Sequence, residues 1–122
     1  MSRILIVEDD HAIRKMEERL LEAAGYTTSQ AGTAEEALEA LALGEPPDLA
    51  LVDVMMPGLS GLELSRKMKD DARLKGVPII FVTARADAES MNAGFKAGGV
   101  LYLAEPFNSK KLLAMVKAVL GT

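Results

Sequence analysis

The chain has 122 residues with 49% apolar and 26% charged side chains, enough for one packed domain and too much hydrophobic content for a disordered one. Its 14 basic residues against 18 acidic ones leave a net charge of −4, which argues against nucleic-acid binding through bulk positive charge. Cysteine is absent, excluding disulfides, thiolate zinc sites, iron–sulfur clusters and a cysteine nucleophile.

Ile4 to Val7 is a short, largely β-branched apolar run, the signature of a strand buried on both faces. Asp10 then caps a helix from His11 to Ala24 whose expected inner face is Ile13, Met16, Leu20, Leu21 and Ala24, ended by Gly25. Tyr26 to Ala31, polar and rich in Thr, suits an edge strand. Thr33 caps a second helix, with Glu36 at capping-box spacing and Ala34, Ala37, Leu38 and Leu41 inward. Gly44-Glu45-Pro46-Pro47 breaks the chain before a third strand, Leu49 to Val52, which runs into Asp53.

Met55 to Gly61 is a loop, and Ser60 caps a third helix carrying Leu62, Leu64 and Met68. Val77 to Val82 is the fourth strand, with Pro78 tolerable only near its start. Asp87 to Ala97 is a fourth helix, weakened by Asn92 and Gly94. Val100 to Ala104 is the fifth strand, and Asn108 caps a last helix with Leu112, Leu113, Val116 and Leu120 inward. Strict alternation implies an α/β fold, a doubly wound parallel sheet with helices on both faces and right-handed crossovers, as a single domain over 1–122. No apolar run approaches the roughly 18 residues that span a bilayer, and the start does not read as a signal peptide, so the expected location is cytoplasmic.

In an open parallel sheet, ligands bind beyond the carboxyl ends of the strands. There the sequence places Glu8, Asp9 and Asp10 after the first strand, Asp53 after the third, Thr83 after the fourth and Glu105 after the fifth. Clustered carboxylates raise one another's pKa unless a positive charge sits among them, and Mg2+ is the natural neutraliser. Asp10 has a bland role as a cap, a lone Asp53 is ordinarily a loop residue, and His11 is expected to face solvent. The seven methionines are expected mostly as core filler. No phosphate-binding Gly loop or nucleophile-elbow serine is present. The second Asp of haloacid-dehalogenase-type phosphatases is missing two residues after Asp53, and the acidic loop at Glu8-Asp9-Asp10 would repel a flavin phosphate.

Four segments in order, Ile4 to Asp10, Asp53 to Gly61, Phe81 to Ala84, and Ala97-Gly98 followed by Tyr102 to Phe107, resemble the receiver domain of bacterial two-component response regulators, of the chemotaxis-regulator kind. The resemblance covers essentially the whole chain. It implies the flavodoxin-like strand order 2-1-3-4-5. It also implies a phosphorylation-switched signalling domain rather than an enzyme. Asp53 would accept a phosphoryl group from a sensor histidine kinase, a phosphotransfer protein or a small acyl phosphate. Asp9, Asp53 and the backbone carbonyl of Met55 would hold Mg2+, with Glu8 acting through water. Thr83 would bind a phosphate oxygen beside the small Ala84, and Tyr102 would turn inward as Thr83 moves. The surface of the fourth helix, fifth strand and fifth helix would then change for an output partner or a second copy, with no direct nucleic acid or membrane contact.

The resemblance expects lysine where this chain has Glu105. Unit charges 4 Å apart interact by roughly 4 kcal/mol at an effective dielectric of about 20, so the reversed sign is a large local change. Either Mg2+ supplies the needed charge, or the domain is a divergent receiver that docks proteins independently of phosphorylation. A salt bridge from Arg85 would neutralise Glu105, and the Glu105–Pro106 peptide is expected to be cis. Apolar Met55 offers nothing to orient a hydrolytic water, so any phosphoryl group should decay slowly.

Overall fold

The computed structural model describes residues 2–83, 92, 93, 96, 98, 99, 101–105 and 107–121, with Thr83 described through its backbone. Five parallel strands lie in the order β2-β1-β3-β4-β5: β1 (Arg3–Val7), β2 (Thr27–Ala31), β3 (Leu49–Val52), β4 (Ile79–Thr83) and β5 (Leu101–Ala104). β1 pairs with β2 and β3, which puts the Thr-rich β2 at the edge, as its polarity predicts. Because every strand points the same way, Glu8, Asp53 and Glu105 all leave the sheet at one edge.

Side-chain alternation divides the core into two layers. Leu5, Val7, Ala50, Val52, Ile79 and Phe81 face α2 (Ala34–Leu43) and α3 (Gly61–Lys69), meeting Ala34, Ala37, Leu41, Leu64 and Met68. Ile4, Ile6, Leu49, Leu51, Ile80, Val82 and Leu103 face α1 (His11–Ala23) and the C-terminal helix (Ser109–Leu120), meeting Leu21, Leu112 and Val116. Each large side chain so buried contributes about 1.5–3 kcal/mol.

The caps fall where the sequence puts them. Asp10 accepts from the backbone N–H groups of Ala12 and Ile13, and Asn108 from that of Lys110. Thr33 accepts from the Glu36 N–H, but the Glu36 carboxylate takes the N–H of Gly32 rather than closing a box on Thr33. The reciprocal box forms instead at Ser60 and Glu63.

Two expectations need correction. The inner face of α1 is Ile13, Glu17 and Leu21, with Leu20 beside it, while Met16 is 43% exposed and Ala24 faces solvent. A glutamate therefore occupies a core-facing position. The methionines are also divided: Met56 and Met68 are buried, whereas Met16 and Met55 are exposed. The fourth helix expected at Asp87 to Ala97 lies largely outside the described residues, as do Ala84, Arg85, Val100 and Pro106. The expected Arg85–Glu105 pair and the Glu105–Pro106 peptide geometry lie outside them too.

Candidate functional site

The strand ends form a cleft of about 260 Å3 lined by Glu8, Asp9, Asp10, Ile13, Asp53, Met55 and Glu105. Backbone bonds fix its floor. The Glu8 N–H donates to the Ala31 carbonyl (3.1 Å) and the Asp53 N–H to the Val7 carbonyl (2.9 Å), so both acids are locked to neighbouring strands. Arg14 donates to the Glu8 backbone carbonyl at 2.7 Å, using its charge on the main chain rather than on the carboxylates.

Asp53 is the centre of the site and is 8% exposed. Its Oδ1 accepts the Met55 N–H at 3.2 Å, the turn that orients the carboxylate. Its carboxyl also meets those of Glu8 and Asp9 in hydrogen bonds. Burial raises the Asp53 pKa and the charge of Asp9 raises it further, while the Glu8 and Met55 hydrogen bonds oppose the rise. Glu8, buried at 3% exposure, is raised first by burial and then by the charge of Asp53, against the opposing Asp10 N–H. Glu105 is half-buried, and burial followed by the charges of Asp53, Asp10 and Asp9 raises its pKa as well.

Carboxylate oxygens of Glu8, Asp53 and Glu105 lie within 4.8 Å of one another. Among the described residues the one ion pair is Lys15–Glu18, at 3.3 Å and outside the cleft. Three hard oxygen donors at this spacing, with no ammonium or guanidinium partner among the described residues, suit a hard divalent cation. Asp9 stands exposed at the rim, against Asp53. Met55, at 56% exposure, borders the mouth.

Thr83 closes β4 in register with Ala104. Tyr102 is 8% exposed and its ring packs 6.3 Å from that of Phe81, so it lies inward. Glu17 escaped the sequence reading. At 1% exposure it sits behind the cleft, its pKa pushed up to about 8 by burial and by the charges of Glu105 and Asp53. Its helical spacing to Ile13 and Leu21 could have revealed it, had a charged residue been admitted to the inner face. Gly61 reads in the sequence only as the end of a loop, yet its backbone packs against that of Asp53.

Strand order and acidic cleft together define a doubly wound, flavodoxin-like α/β protein with its ligand site at the carboxyl edge of the sheet. A family model described as the response regulator receiver domain matches residues 4–117. The chain belongs to this family, the receiver domains of two-component response regulators. It is 40% identical over 117 residues to the phosphate regulon transcriptional regulatory protein PhoB of Pseudomonas aeruginosa, covering 96% of this chain and 51% of that protein. The chain spans about half the length of the curated relatives it matches. The chemotaxis protein CheY4 of Vibrio cholerae superposes with a TM-score of 0.92 at 30% identity, covering 98% of each chain. The response regulator TrrA of Thermotoga maritima, in complex with Mg2+ and BeF, superposes with a TM-score of 0.86 at 34% identity, covering 98% of this chain and 99% of that one. No helix among the described residues is long and apolar enough to cross a membrane.

Proposed function

We propose that residues 1–122 form one receiver domain that accepts a phosphoryl group on Asp53 from the phosphohistidine of a sensor kinase or phosphotransfer protein. The observation that carries this reading is the position of Asp53, sunk in the cleft between the acids of β1 and Glu105 with one oxygen tethered by Met55 N–H. The free carboxylate oxygen attacks phosphorus, the P–N bond breaks with its electron pair returning to the imidazole, and an acyl phosphate remains on Asp53. Burial favours the reaction by excluding water, but it also holds protons on the acids. Asp53 must be ionised to attack, and a cation among the acids favours that form.

Glu8, Asp9, Asp53 and the Met55 carbonyl are the groups that would hold Mg2+, Glu8 largely through water. When bound, the cation offsets negative charge on the transferring phosphoryl group. The neighbour TrrA, whose complex contains Mg2+ and BeF, supports the assignment of the ion. Thr83 then binds a phosphoryl oxygen, and Tyr102, packed on Phe81, is the aromatic that reports the change to the fifth-strand surface. An output partner or a second copy reads that surface. The chain acts as a cytoplasmic signalling domain. The alternative of a docking module indifferent to phosphorylation gains no support from the relatives.

Titration with beryllofluoride in the presence and absence of Mg2+, followed by backbone NMR, tests the reading. Saturable, Mg2+-dependent shifts at Thr83 and Tyr102, abolished by Asp53→Asn, are expected. Their absence in the folded wild-type chain would remove the phosphorylation switch.

A further inference from the structure

Glu105 follows β5, two strands away from β3 in the sheet, yet its carboxylate reaches to within 4.8 Å of those of both Asp53 and Glu8. Adjacent strands are about 4.8 Å apart, so the side chain has to extend across the end of β4 to do so. Carboxyl groups held this close are relieved by protons or by a cation that joins them, and a divalent cation engages all three at once. Arg14, the cation nearest to hand in sequence, is engaged by the Glu8 carbonyl.

Glu17 of α1 lies close by: it is 1% exposed, and Glu105 and Asp53 are near enough for their charges to act on it. A fourth acid thus stands near the three, and the structural neighbour TrrA, whose complex contains Mg2+, has the same fold.

We propose that Glu105 is a direct ligand of the divalent cation, so that Glu8, Asp53 and Glu105 grip it with carboxylates from three strand ends. This rests on the reading that the cleft binds a cation, and deepens it by naming the ligand set. A cage so rich in carboxylate displaces more of the ion's water. Mg2+ gives up water reluctantly, whereas ions such as Mn2+ and Ca2+ accept such ligands more readily. The cleft should therefore prefer Mn2+ over Mg2+, and that preference should depend on Glu105.

Calorimetric titration of the whole chain with MnCl2 and MgCl2, without any phosphoryl mimic, tests this. One Mn2+ per chain is expected. Glu105→Gln should weaken Mn2+ binding by about tenfold or more and reduce the preference over Mg2+. Glu17→Gln, which removes no ligand, should leave Mn2+ affinity within roughly threefold of wild type. Circular dichroism establishes that the variants fold. Unchanged Mn2+ affinity in folded Glu105→Gln, alongside loss in Asp53→Asn, would overturn the proposal and leave the phosphorylation switch intact. Tight Glu105-dependent Mn2+ binding without any response to beryllofluoride would do the reverse. No Mn2+ binding to wild type at millimolar concentration would overturn the ligand set outright.

Discussion

The α-carbon of Gly61 lies so close to the main chain of Asp53 that an added methyl group would stand 2.1 Å from the Asp53 carbonyl oxygen and 2.8 Å from a Val52 methyl. The Gly61 N–H also donates to the Val54 carbonyl at 3.0 Å. The first turn of α3 is thus seated directly against the backbone that carries Asp53. Neither neighbour is a flexible side-chain tip, so Gly61→Ala must move α3 or Asp53. It should cost about 1–3 kcal/mol in urea denaturation. Phosphorylation of Asp53 by acetyl phosphate should fall as well. Wild-type stability and labelling in this variant would mean that the contact is softer than the geometry indicates.

Stability should fall as pH rises through the neutral range. Glu17 has its pKa pushed up from an ordinary 4.5 to about 8, first by burial. Below the lower value it is protonated in both the folded and unfolded chain, and its stabilisation is fully present. Between the two values the folded chain keeps a proton that the unfolded chain has released, so each pH unit removes about 1.4 kcal/mol at most. Above the folded value the loss is complete. Glu8, Asp53 and Glu105 are raised in the same sense and add to the slope. In metal-free buffer the urea midpoint should drop between pH 5 and pH 8. Glu17→Gln should flatten the drop and exceed wild type at the alkaline end, with the difference shrinking in acid. A midpoint that rises with pH would contradict the placement of Glu17.

How far these features were legible in the sequence depends on the kind of signal. Caps at Asp10, Thr33, Ser60 and Asn108 are local: the chemistry of one side chain and the next turn's N–H groups decides them. The convergence of Glu8, Asp53 and Glu105 was accessible because parallel strands share one carboxyl edge. Glu17 was hidden because apolar periodicity assigns a charged residue outward, and Met16 beside it satisfied the pattern equally well. One residue is a rotation of about 100° around a helix, enough to exchange the two. The role of Gly61 was hidden for a different reason. A close approach between backbones separated by a loop leaves no trace in hydrophobicity, and the glycine also reads as ordinary loop punctuation.

The α3 cap can be tested independently of the acids. Ser60 Oγ accepts the Glu63 N–H and the Glu63 carboxylate accepts the Ser60 N–H, each at 3.2 Å. Ser60→Ala should cost about 1 kcal/mol in urea denaturation. Because α3 begins against Asp53, fraying of its first turn should also broaden the Met55 amide resonance. Loss of stability without any change at Met55 would separate the helix start from the site.

The last expectation concerns the lifetime of the phosphoryl group. Hydrolysis of an acyl phosphate on Asp53 requires a water aligned opposite the leaving oxygen, and groups at the mouth of the cleft are the ones able to hold it. Met55 borders that mouth and is 56% exposed. Its thioether is at best a weak acceptor and cannot donate. Water there is therefore left unoriented, and the phosphoryl group should persist for minutes or longer once its donor is removed. Met55→Asn supplies a donor and an acceptor at the same position while keeping the backbone carbonyl and the N–H that tethers Asp53. Decay should accelerate roughly tenfold through better orientation of the attacking water. A phosphate-affinity gel time course after removal of the donor measures both rates. Decay of the wild-type chain within seconds would show that another group at the mouth already positions the water, and that Met55 has no part in the lifetime.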